Sequence, residues 1–451
     1  MYLAALPLLA AQLTRDPLAV SVVTFAGWLP WLLFALPAGA LVDRLDRRRV
    51  MWTVDTARAL VVAALAAAVL AGWASIPGLA VAGFLVGTGQ TLFENAAQAM
   101  VVAVVGRNPR HLERANGQLV ASLTVGQQLA GPPLGSAAFA VAPWLPFLAD
   151  AVSFATSAGL VASIRGRFRA EGRLGVEGRL EPHPSTPGTP EPQPLFPGLP
   201  DREGSPGPET VPGVVHSPPP GPPAEPPADP PAHPPAGRSL WAEIAEGLRF
   251  LLDHRLLRAA VLLVSASNLA FMAGEAVLVL FASEELGLGS RGYGLLLAAV
   301  AVGGLPGSLL AARIGGRVPP GRLIVGGVLV GAVVMACFGV ATDPWVAGVA
   351  YAATGAVWAV WNVTLLSLRQ SIVPDRLMGR VVGAIRLVGF GTIPLGALLG
   401  GLIARTLGLR APFLLGAAVL AVAALAAAPR ITTPAIEAAR SEAGAGPSRP
   451  V

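Results

Sequence analysis

The chain has 451 residues, of which 53% are hydrophobic and 13% are charged, and its mean hydropathy is +0.62. A soluble globular domain carries about 25% charged residues, so this composition excludes an ordinary soluble enzyme. The high hydrophobicity also excludes a chain that is disordered overall. The formal net charge of +6 is compatible with nucleic-acid binding, and the placement of the arginines has to decide that question.

Eleven segments are apolar and long enough, at about 20 residues, to cross the hydrocarbon core of a bilayer. They must be helical, because lipid offers no hydrogen-bond partner to an open sheet edge. Five precede a proline-rich region and six follow it. In chain order they are residues 18–42, 51–72, 78–99, 115–141, 147–164, 256–283, 293–312, 323–341, 345–368, 381–404 and 412–428.

The first 13 residues are apolar but short. A helix of that length rises about 20 Å, whereas the hydrocarbon core is about 30 Å thick. No basic residue precedes the apolar stretch, which disfavours a signal peptide. We therefore expect a first helix truncated at its N-terminus, and a complete protein with twelve spans and both ends inside.

The arginines follow the predicted loops in alternation. Rich loops include residues 44–49, 107–114, 165–169, 313–322 and 369–380, whereas the intervening loops hold few or none. By the positive-inside rule the rich loops are cytoplasmic, which predicts a multi-pass protein of the cell membrane with a cytoplasmic C-terminus. Basic residues spread over many short loops do not form a nucleic-acid surface, so no nucleic-acid partner is expected.

A proline-rich stretch divides the apolar segments into two groups. Residues 181–238 contain 22 of the 43 prolines, a composition that cannot bury a core. We predict an N-terminal helix bundle at 1–164, a disordered cytoplasmic linker at 165–239, a C-terminal bundle at 240–430 and a cytoplasmic tail at 431–451. Residues 240–258 have the apolar spacing of an amphipathic helix on the inner membrane surface.

The two halves share an internal repeat at an offset of 265 residues. Each half carries a proline in an inner loop, followed by a span with the pattern G-x4-G-x3-G. The matched positions are Pro109 with Pro374, Leu112 with Leu377, Gly126 with Gly391, Gly131 with Gly396, and Gly135 with Gly400. Parallel repeats of this kind are typical of transporters built from two bundles.

The loop at 39–49 contains a recognisable signature. Its residues Gly39, Asp43, Arg44, Arg47 and Arg48 follow the spacing G-x-L-x-D-R-x-G-R-R, with an aspartate at the position where the second glycine is usual. This resembles the major facilitator superfamily. The resemblance implies an all-α, polytopic membrane fold of two six-helix bundles, the major facilitator fold, in which these residues form a gating latch.

Three further charged residues are assigned to the same gate. Asp55 and Arg58 lie at i and i+3 on one helix face, and Arg386 lies near the inner end of its span. We predict that they act beside the latch. The alternative is that the loop arginines serve only as a topology signal.

The fifth span carries a second signature, formed by Gly126, Gly131, Pro132, Pro133 and Gly135. It resembles the antiporter motif of the twelve-span drug/proton antiporter branch, and the runs FLADAVSF at 147–154 and RANG at 114–117 are similar to macrolide-efflux and enterobactin-exporter-like proteins. The resemblance implies proton-coupled efflux of hydrophobic or amphipathic small molecules by alternating access. Drugs, macrolides, siderophores and secondary metabolites all fit.

Ionisable residues inside a span are costly and are functional candidates by default. Glu94, Glu275 and Asp150 are the predicted proton carriers, since each acid can exchange a proton as its surroundings alternate. Polar and aromatic residues predicted to line a central cavity are Trp31, Gln90, Asn95, Gln127, Asn268, Trp358 and Asn362.

The sequence shows no P-loop, no nucleophile–histidine–acid arrangement and no metal-ligand spacing. We therefore expect no enzyme activity, no cofactor and no metal. The expected partners are the lipid bilayer, a small-molecule substrate and protons, with the protein acting as a monomer. Two alternatives stay open: an uptake permease or uncoupled facilitator of the same fold, and a non-transporting membrane scaffold that uses the proline-rich loop to recruit a partner.

Overall fold

The computed structural model describes residues 1–105, 109–164, 240–314, 317–372 and 375–444, without the side chains of several helix ends, including 35–44, 102–105, 240–245 and 375–380. Some predicted features therefore lie outside the described residues. These are the linker at 165–239, the side chains of the latch residues Gly39, Asp43 and Arg44, and the side chain of Arg386.

Every regular element in these ranges is helical, as a chain surrounded by lipid requires. The described part of the first half contains a short first helix, four longer helices and, at the position of the predicted fifth span, two α-helices joined by a π-helical segment at Thr124–Ala130. In chain order the helices are α1 (Tyr2–Leu13), α2 (Pro17–Arg44), α3 (Arg47–Leu70), α4 (Ile76–Val105), α5 (Pro109–Leu123), α6 (Gly131–Val141) and α7 (Leu145–Ser163).

The second half repeats this plan after an additional helix and ends in another. A short π-helical segment at Phe281–Glu285 continues the seventh span. The helices are α8 (Leu240–Asp253), α9 (Arg255–Glu275), α10 (Leu278–Leu280), α11 (Ser290–Ile314), α12 (Pro320–Val340), α13 (Pro344–Ile372), α14 (Asp375–Leu407), α15 (Ala411–Ala427) and α16 (Thr433–Gly444).

Hydropathy predicted the spans well. Nine of the described helices are long and apolar enough to cross a membrane, and the shorter helices Tyr2–Leu13 and Ala411–Ala427 are also apolar. Ten of the eleven predicted segments each coincide with one of these helices or with the two-part fifth span, and the remaining segment, 256–283, corresponds to an interrupted helix. The predicted all-α membrane fold is confirmed. Below, the end of the bundles at which α2 begins is called the outer end, following the predicted orientation.

The fifth span is widened before its proline pair. Pro132 and Pro133 have no backbone N–H, so two carbonyls of the preceding turn lose their α-helical partners. The chain adopts a π-helix over Thr124–Ala130 and returns to α-helix at Gly131. Single π-helical turns of this kind often mark functional positions in helices.

The seventh span is interrupted, so the prediction of one continuous helix over 256–283 is wrong. α9 ends at Glu275, and Val277 has φ −112° and ψ 3°, outside the helical range. The break sets the ring of Phe281 against Phe338 and Phe413, at centroid distances of 5.2 and 4.8 Å. Buried aromatic packing of this kind favours the interrupted path.

The repeated glycines have equivalent contacts in the two halves. A methyl group added at Gly135 would lie 2.9 Å from the Cα of Met1, which places α6 against α1. One added at Gly396 would lie 3.1 Å from the Cα of Leu269, which places α14 against α9. In each half the repeated glycine span therefore packs closely on the first span of its own bundle.

Two peripheral helices pack on the bundles. Leu251 of α8 forms a buried cluster with Leu257 and Val381, so the predicted amphipathic helix covers α14 with part of its apolar face. In the predicted tail, α16 packs on α12 and α13 and buries Ile436. The sequence analysis did not anticipate a helix in this tail.

Candidate functional site

The two halves meet along two seams at the outer end, one between α2 and α14 and one between α6 and α11. In the first, Ser21 is completely buried, and a Cβ built on Gly401 would lie 2.9 Å from the carbonyl oxygen of Pro17. In the second, Ser136 is completely buried, and a Cβ on Gly294 would lie 2.9 Å from the carbonyl oxygen of Pro132. The backbones approach so closely that only glycine fits.

These two seams are related by the internal repeat. Ser136 and Gly401 stand 265 positions apart, the repeat offset, while Ser21 and Gly294 are both the fifth residue of the equivalent helices α2 and α11. The serine comes from the first half in both seams and the glycine from the second. Each serine hydroxyl donates within its own helix, to Leu18 O at 2.8 Å or to Pro133 O at 3.1 Å, so neither needs a partner across the seam.

Two exposed ion pairs also join the halves at the outer end. Arg15 lies 3.4 Å from Glu284, and Arg405 lies 3.7 Å from Asp16. Because all four side chains are substantially solvated, each pair contributes at most about 1 kcal/mol. The glycine contacts, rather than these pairs, determine how closely the outer ends fit.

A buried polar network occupies the first half between α3, α4 and α7. The Arg58 guanidinium donates to Asp55 Oδ1 at 3.1 Å and to Gln90 Oε1 at 2.6 Å. Gln90 in turn donates to Glu94 Oε1 at 2.5 Å, and Ser157 donates to the second oxygen of Asp55 at 2.6 Å. The predicted pair at i and i+3 is therefore real, and it connects to the acid proposed as a proton carrier.

The second half has a different acid site, at the break in the seventh span. The hydroxyl of Tyr351 donates a short hydrogen bond to Glu275 Oε2. Tyr293 is buried nearby and interacts electrostatically with the same carboxyl group. Among the described residues Glu275 has no cationic partner, unlike Asp55. Tyr293 directly precedes Gly294, so this acid site adjoins the α6–α11 seam.

The latch loop contacts its own half in the part that is described. Asp46 caps α3 by accepting from the backbone N–H of Arg48 and Arg49, at 3.1 and 3.3 Å. Arg48 donates through Nε to Val161 O at 3.3 Å, and through a terminal nitrogen to Ala162 O, at the last turn of α7. An N-cap carboxylate explains why aspartate replaces the usual glycine here, and a cation at a helix C-terminus is favourable.

Comparison with known proteins identifies the family. The model of the Major Facilitator Superfamily matches residues 1–394, most of the chain. The chain belongs to this superfamily. Membership confirms the predicted recognition and classes the chain with membrane transporters, not with enzymes.

Relatives and solved structures of the superfamily agree with the fold. Over 135 residues, which are 29% of this chain and 32% of the relative, the sequence is 36% identical to a protein named multidrug efflux pump Tap from Mycolicibacterium fortuitum. The match thus spans about a third of that relative's length. The nucleoside transporter NupG is similar over 95% of this chain and 94% of its own, with a TM-score of 0.64 and 10% identity. A bacterial homologue of the human lysosomal transporter Spinster gives a TM-score of 0.55 at 14% identity, over 95% and 96% of the two chains.

The residues that resemble the antiporter motif occupy the π-helix of the fifth span and the α-helix that follows it. Gly126 lies in the π-helix, and Pro132 and Pro133 widen it. Gly131 and Gly135 are buried on the side facing α1. The motif therefore positions α6 against α1 on one side and against α11 on the other.

The predicted cavity residues are dispersed. Trp31 faces Phe390 across the two halves, at a centroid distance of 6.4 Å. Asn268 donates to Gly389 O at 2.9 Å and joins α9 to α14. The amides of Asn95 and Asn362 donate to carbonyls four residues earlier in their own helices, at 2.8 and 2.9 Å. Gln127 is exposed on the π-helix.

The two remaining predicted site residues are Trp358 and Asp150. Trp358 is 55% exposed on α13, four residues before Asn362. Asp150, on α7, accepts the backbone N–H of Tyr2 at 2.5 Å. Asp150 therefore holds the start of α1 in place.

Several site residues were missed by the sequence analysis, namely Ser21, Ser157, Tyr293, Gly294, Tyr351 and Gly401. One signal was available for the tyrosines, because the chain has only three of them and one, Tyr351, donates to Glu275. The serines of the seams each follow a proline by four residues, at Pro17 and Pro132. That spacing is too common to have indicated a seam.

Proposed function

We propose that this transporter exports hydrophobic or amphipathic small molecules and couples export to proton entry. The bundle at 1–164 would rock against the bundle at 240–430, with the substrate entering from the inner side. Support comes from the antiporter-type motif in the fifth span and from the relative named as a multidrug efflux pump. The proposal includes the positive-inside orientation, a cytoplasmic linker and tail, and a monomeric protein.

The observation that carries the coupling proposal is the environment of Glu275. A buried carboxylate paired with an arginine cannot take up a proton without leaving the arginine unpaired, which is strongly unfavourable. Asp55 is in that situation because of Arg58. Glu275 accepts from a neutral tyrosine hydroxyl instead, so it can be charged or neutral without stranding a cation. We therefore place the proton on Glu275, with Glu94 and Asp150 as the alternatives to be tested.

The position of Glu275 suggests how the proton acts on the outer seam. Tyr293 interacts with the carboxyl group and is followed directly by Gly294, which packs on α6. A change in charge at Glu275 would alter its hydrogen bond with Tyr351 of α13, which packs on α11, and so bias the α6–α11 seam. One conformational element would then respond to both the proton and the substrate, as coupling requires.

The arginine-rich loop would hold the inner end in the complementary state. Asp46 and Arg48 already fix the start of α3 to the end of α7. We propose that Asp43 and Arg44, together with Asp55, Arg58 and the loop residue Arg47, form the gate around this fixed point, with Arg386 approaching from the other half.

Everted membrane vesicles test the proposal. With an imposed pH gradient, acid inside, wild type should accumulate a fluorescent amphipathic dye, and Glu275→Gln should abolish gradient-driven accumulation. Because glutamine has nearly the shape of a protonated glutamic acid, exchange of dye for unlabelled dye should persist. Glu437→Gln, at an exposed position on α16 away from both seams, is the control. Accumulation by wild type without any gradient would refute proton coupling, and flux only in the opposite direction would identify an uptake permease.

A further inference from the structure

A groove runs along the lipid-facing surface of the first bundle, between α3 and α7. The part at the inner end of these helices has a volume of about 550 Å³ and is lined by Arg48, Arg49, Trp52, Thr53 and Ala162. Its second part, of about 340 Å³, continues towards the middle of the membrane. Trp52 and Ala162 line both parts, so the two volumes form one continuous groove.

The two parts of the groove differ in chemistry. The deeper part is lined almost entirely by apolar or small side chains, which are Ala59, Leu60, Ala155, Ala158 and Gly159. A Cβ built on Gly159 would meet nothing within 4 Å, so its surface is open. Among the described residues, no acidic side chain lines either part. The groove thus joins a positively charged end to an apolar channel.

The two arginines at the charged end have different tasks. Arg48 donates to the last carbonyls of α7, at Val161 and Ala162, and so spans the groove where α3 and α7 meet. Arg49 is exposed, and its guanidinium contacts no carboxylate among the described residues. Backbone carbonyls carry no net charge, so Arg48 keeps its formal positive charge beside them, and both arginines add positive potential at this point.

Trp52 lies where the basic part of the groove meets the apolar part. It is half-buried, one turn into α3 from the arginines. Tryptophan prefers the level at which headgroups meet hydrocarbon, and that level is where the groove changes from basic to apolar. A ligand that fills the groove must have an anionic group at one end and a hydrocarbon chain at the other.

We propose that this groove is a binding site for an anionic phospholipid of the inner leaflet. The phosphate and headgroup lie against Arg49 and Arg48, and one acyl chain follows α7 past Gly159. The leaflet assignment rests on the proposed orientation, with the arginine loop inside. The lipid contacts only the first bundle and stabilises the junction of α3 and α7, beside the latch loop.

Native mass spectrometry of the purified, delipidated full-length protein tests the site, with phosphatidylglycerol and phosphatidylcholine titrated separately. Arg49→Gln should weaken phosphatidylglycerol binding about fivefold, the effect of one arginine at an anionic surface, and should leave phosphatidylcholine binding unchanged. Arg322→Gln, an exposed arginine at the start of α12, is the matched charge control and should behave as wild type.

A second variant tests the apolar part of the groove. Gly159→Leu fills the open channel with a good helix former and should reduce the binding of both lipids. Gly348→Leu, at an equally open glycine of α13, should not. Equal losses of phosphatidylglycerol in Arg49→Gln and Arg322→Gln would overturn the proposal. So would displacement of the lipid by glycerol phosphate at the lipid's own concentration, because the site would then bind a soluble anion. Lipid retention is measured without flux, so this result is independent of the proposed export.

Discussion

Closing the outer end depends on two glycines, and adding a single methyl group to one of them should open it. In Gly294→Ala the new Cβ would lie 2.6 Å from the Cβ of Ser136 and 2.9 Å from the carbonyl oxygen of Pro132. Ordinary carbon contacts lie at about 3.5–4.0 Å, and one of the neighbours is backbone. The seam between α6 and α11 must therefore widen in the closed state.

The size of the effect follows from the cost of overpacking. Inserting a methyl group into a tight contact costs about 1–3 kcal/mol. In the outward-open state the two helices are apart, so the added methyl group does not destabilise that state. The equilibrium should shift towards the outward-open state by a factor of about 5 to about 150. Gly304→Ala, on the same helix, is the matched control, since its Cβ would lie 3.8 Å from its nearest neighbour.

The second seam provides the readout. Ser21 is completely buried where α2 meets α14, and Cys337 is the only native cysteine. In a Cys337→Ser background, Ser21→Cys reports opening through its rate of reaction with a membrane-impermeant maleimide applied outside. Gly294→Ala should raise this rate although the two positions lie in different seams, because rigid bundles open both together. If the rate stays at the wild-type value in correctly inserted protein, the outer seal does not depend on these contacts.

Three further variants test individual polar contacts. Arg58→Gln leaves the charge of Asp55 unpaired and should lower the free energy of unfolding in detergent by about 3–5 kcal/mol. Adding Asp55→Asn should recover much of this loss. If it recovers none, the two side chains are not coupled. Tyr351→Phe removes the hydroxyl that Glu275 accepts from and should reduce gradient-driven flux while leaving dye exchange intact; loss of both activities would indicate a packing role. Arg48→Gln removes the α3 cation that contacts the last carbonyls of α7, and it should lower the free energy of unfolding by about 0.3–1 kcal/mol, measured by thermal unfolding. An unchanged unfolding temperature would contradict this stabilising role.

Hydropathy was sufficient to place the spans, because the thickness of the bilayer imposes one length on every crossing. It missed the break after Glu275, because residues 276–282 are all apolar and packing of Phe281 on two distant rings decides the path. It also missed the helix in the tail, which is stabilised by burying Ile436 against other helices. Neither feature has a local signature.

The candidate site was predictable only in part. The acids inside the spans stood out, because lipid makes each of them costly. Their partners did not, since Tyr351 is 76 positions from Glu275 and Ser157 is 102 positions from Asp55. The repeat indicated which glycines matter within each bundle. It did not indicate the seam glycines, because a serine occupies the repeat-equivalent position of Gly401.

The composition of the two seams affects how the outer end responds to ionic strength. The closest approaches set Gly294 against Ser136 and Gly401 against Ser21, so packing of uncharged groups determines how the two seams fit. Dissolved salt screens exposed charges but not such contacts. Raising the salt concentration should weaken only the exposed pairs, such as Arg15 with Glu284. The equilibrium between the closed and open outer end should therefore change little between low and high salt concentration.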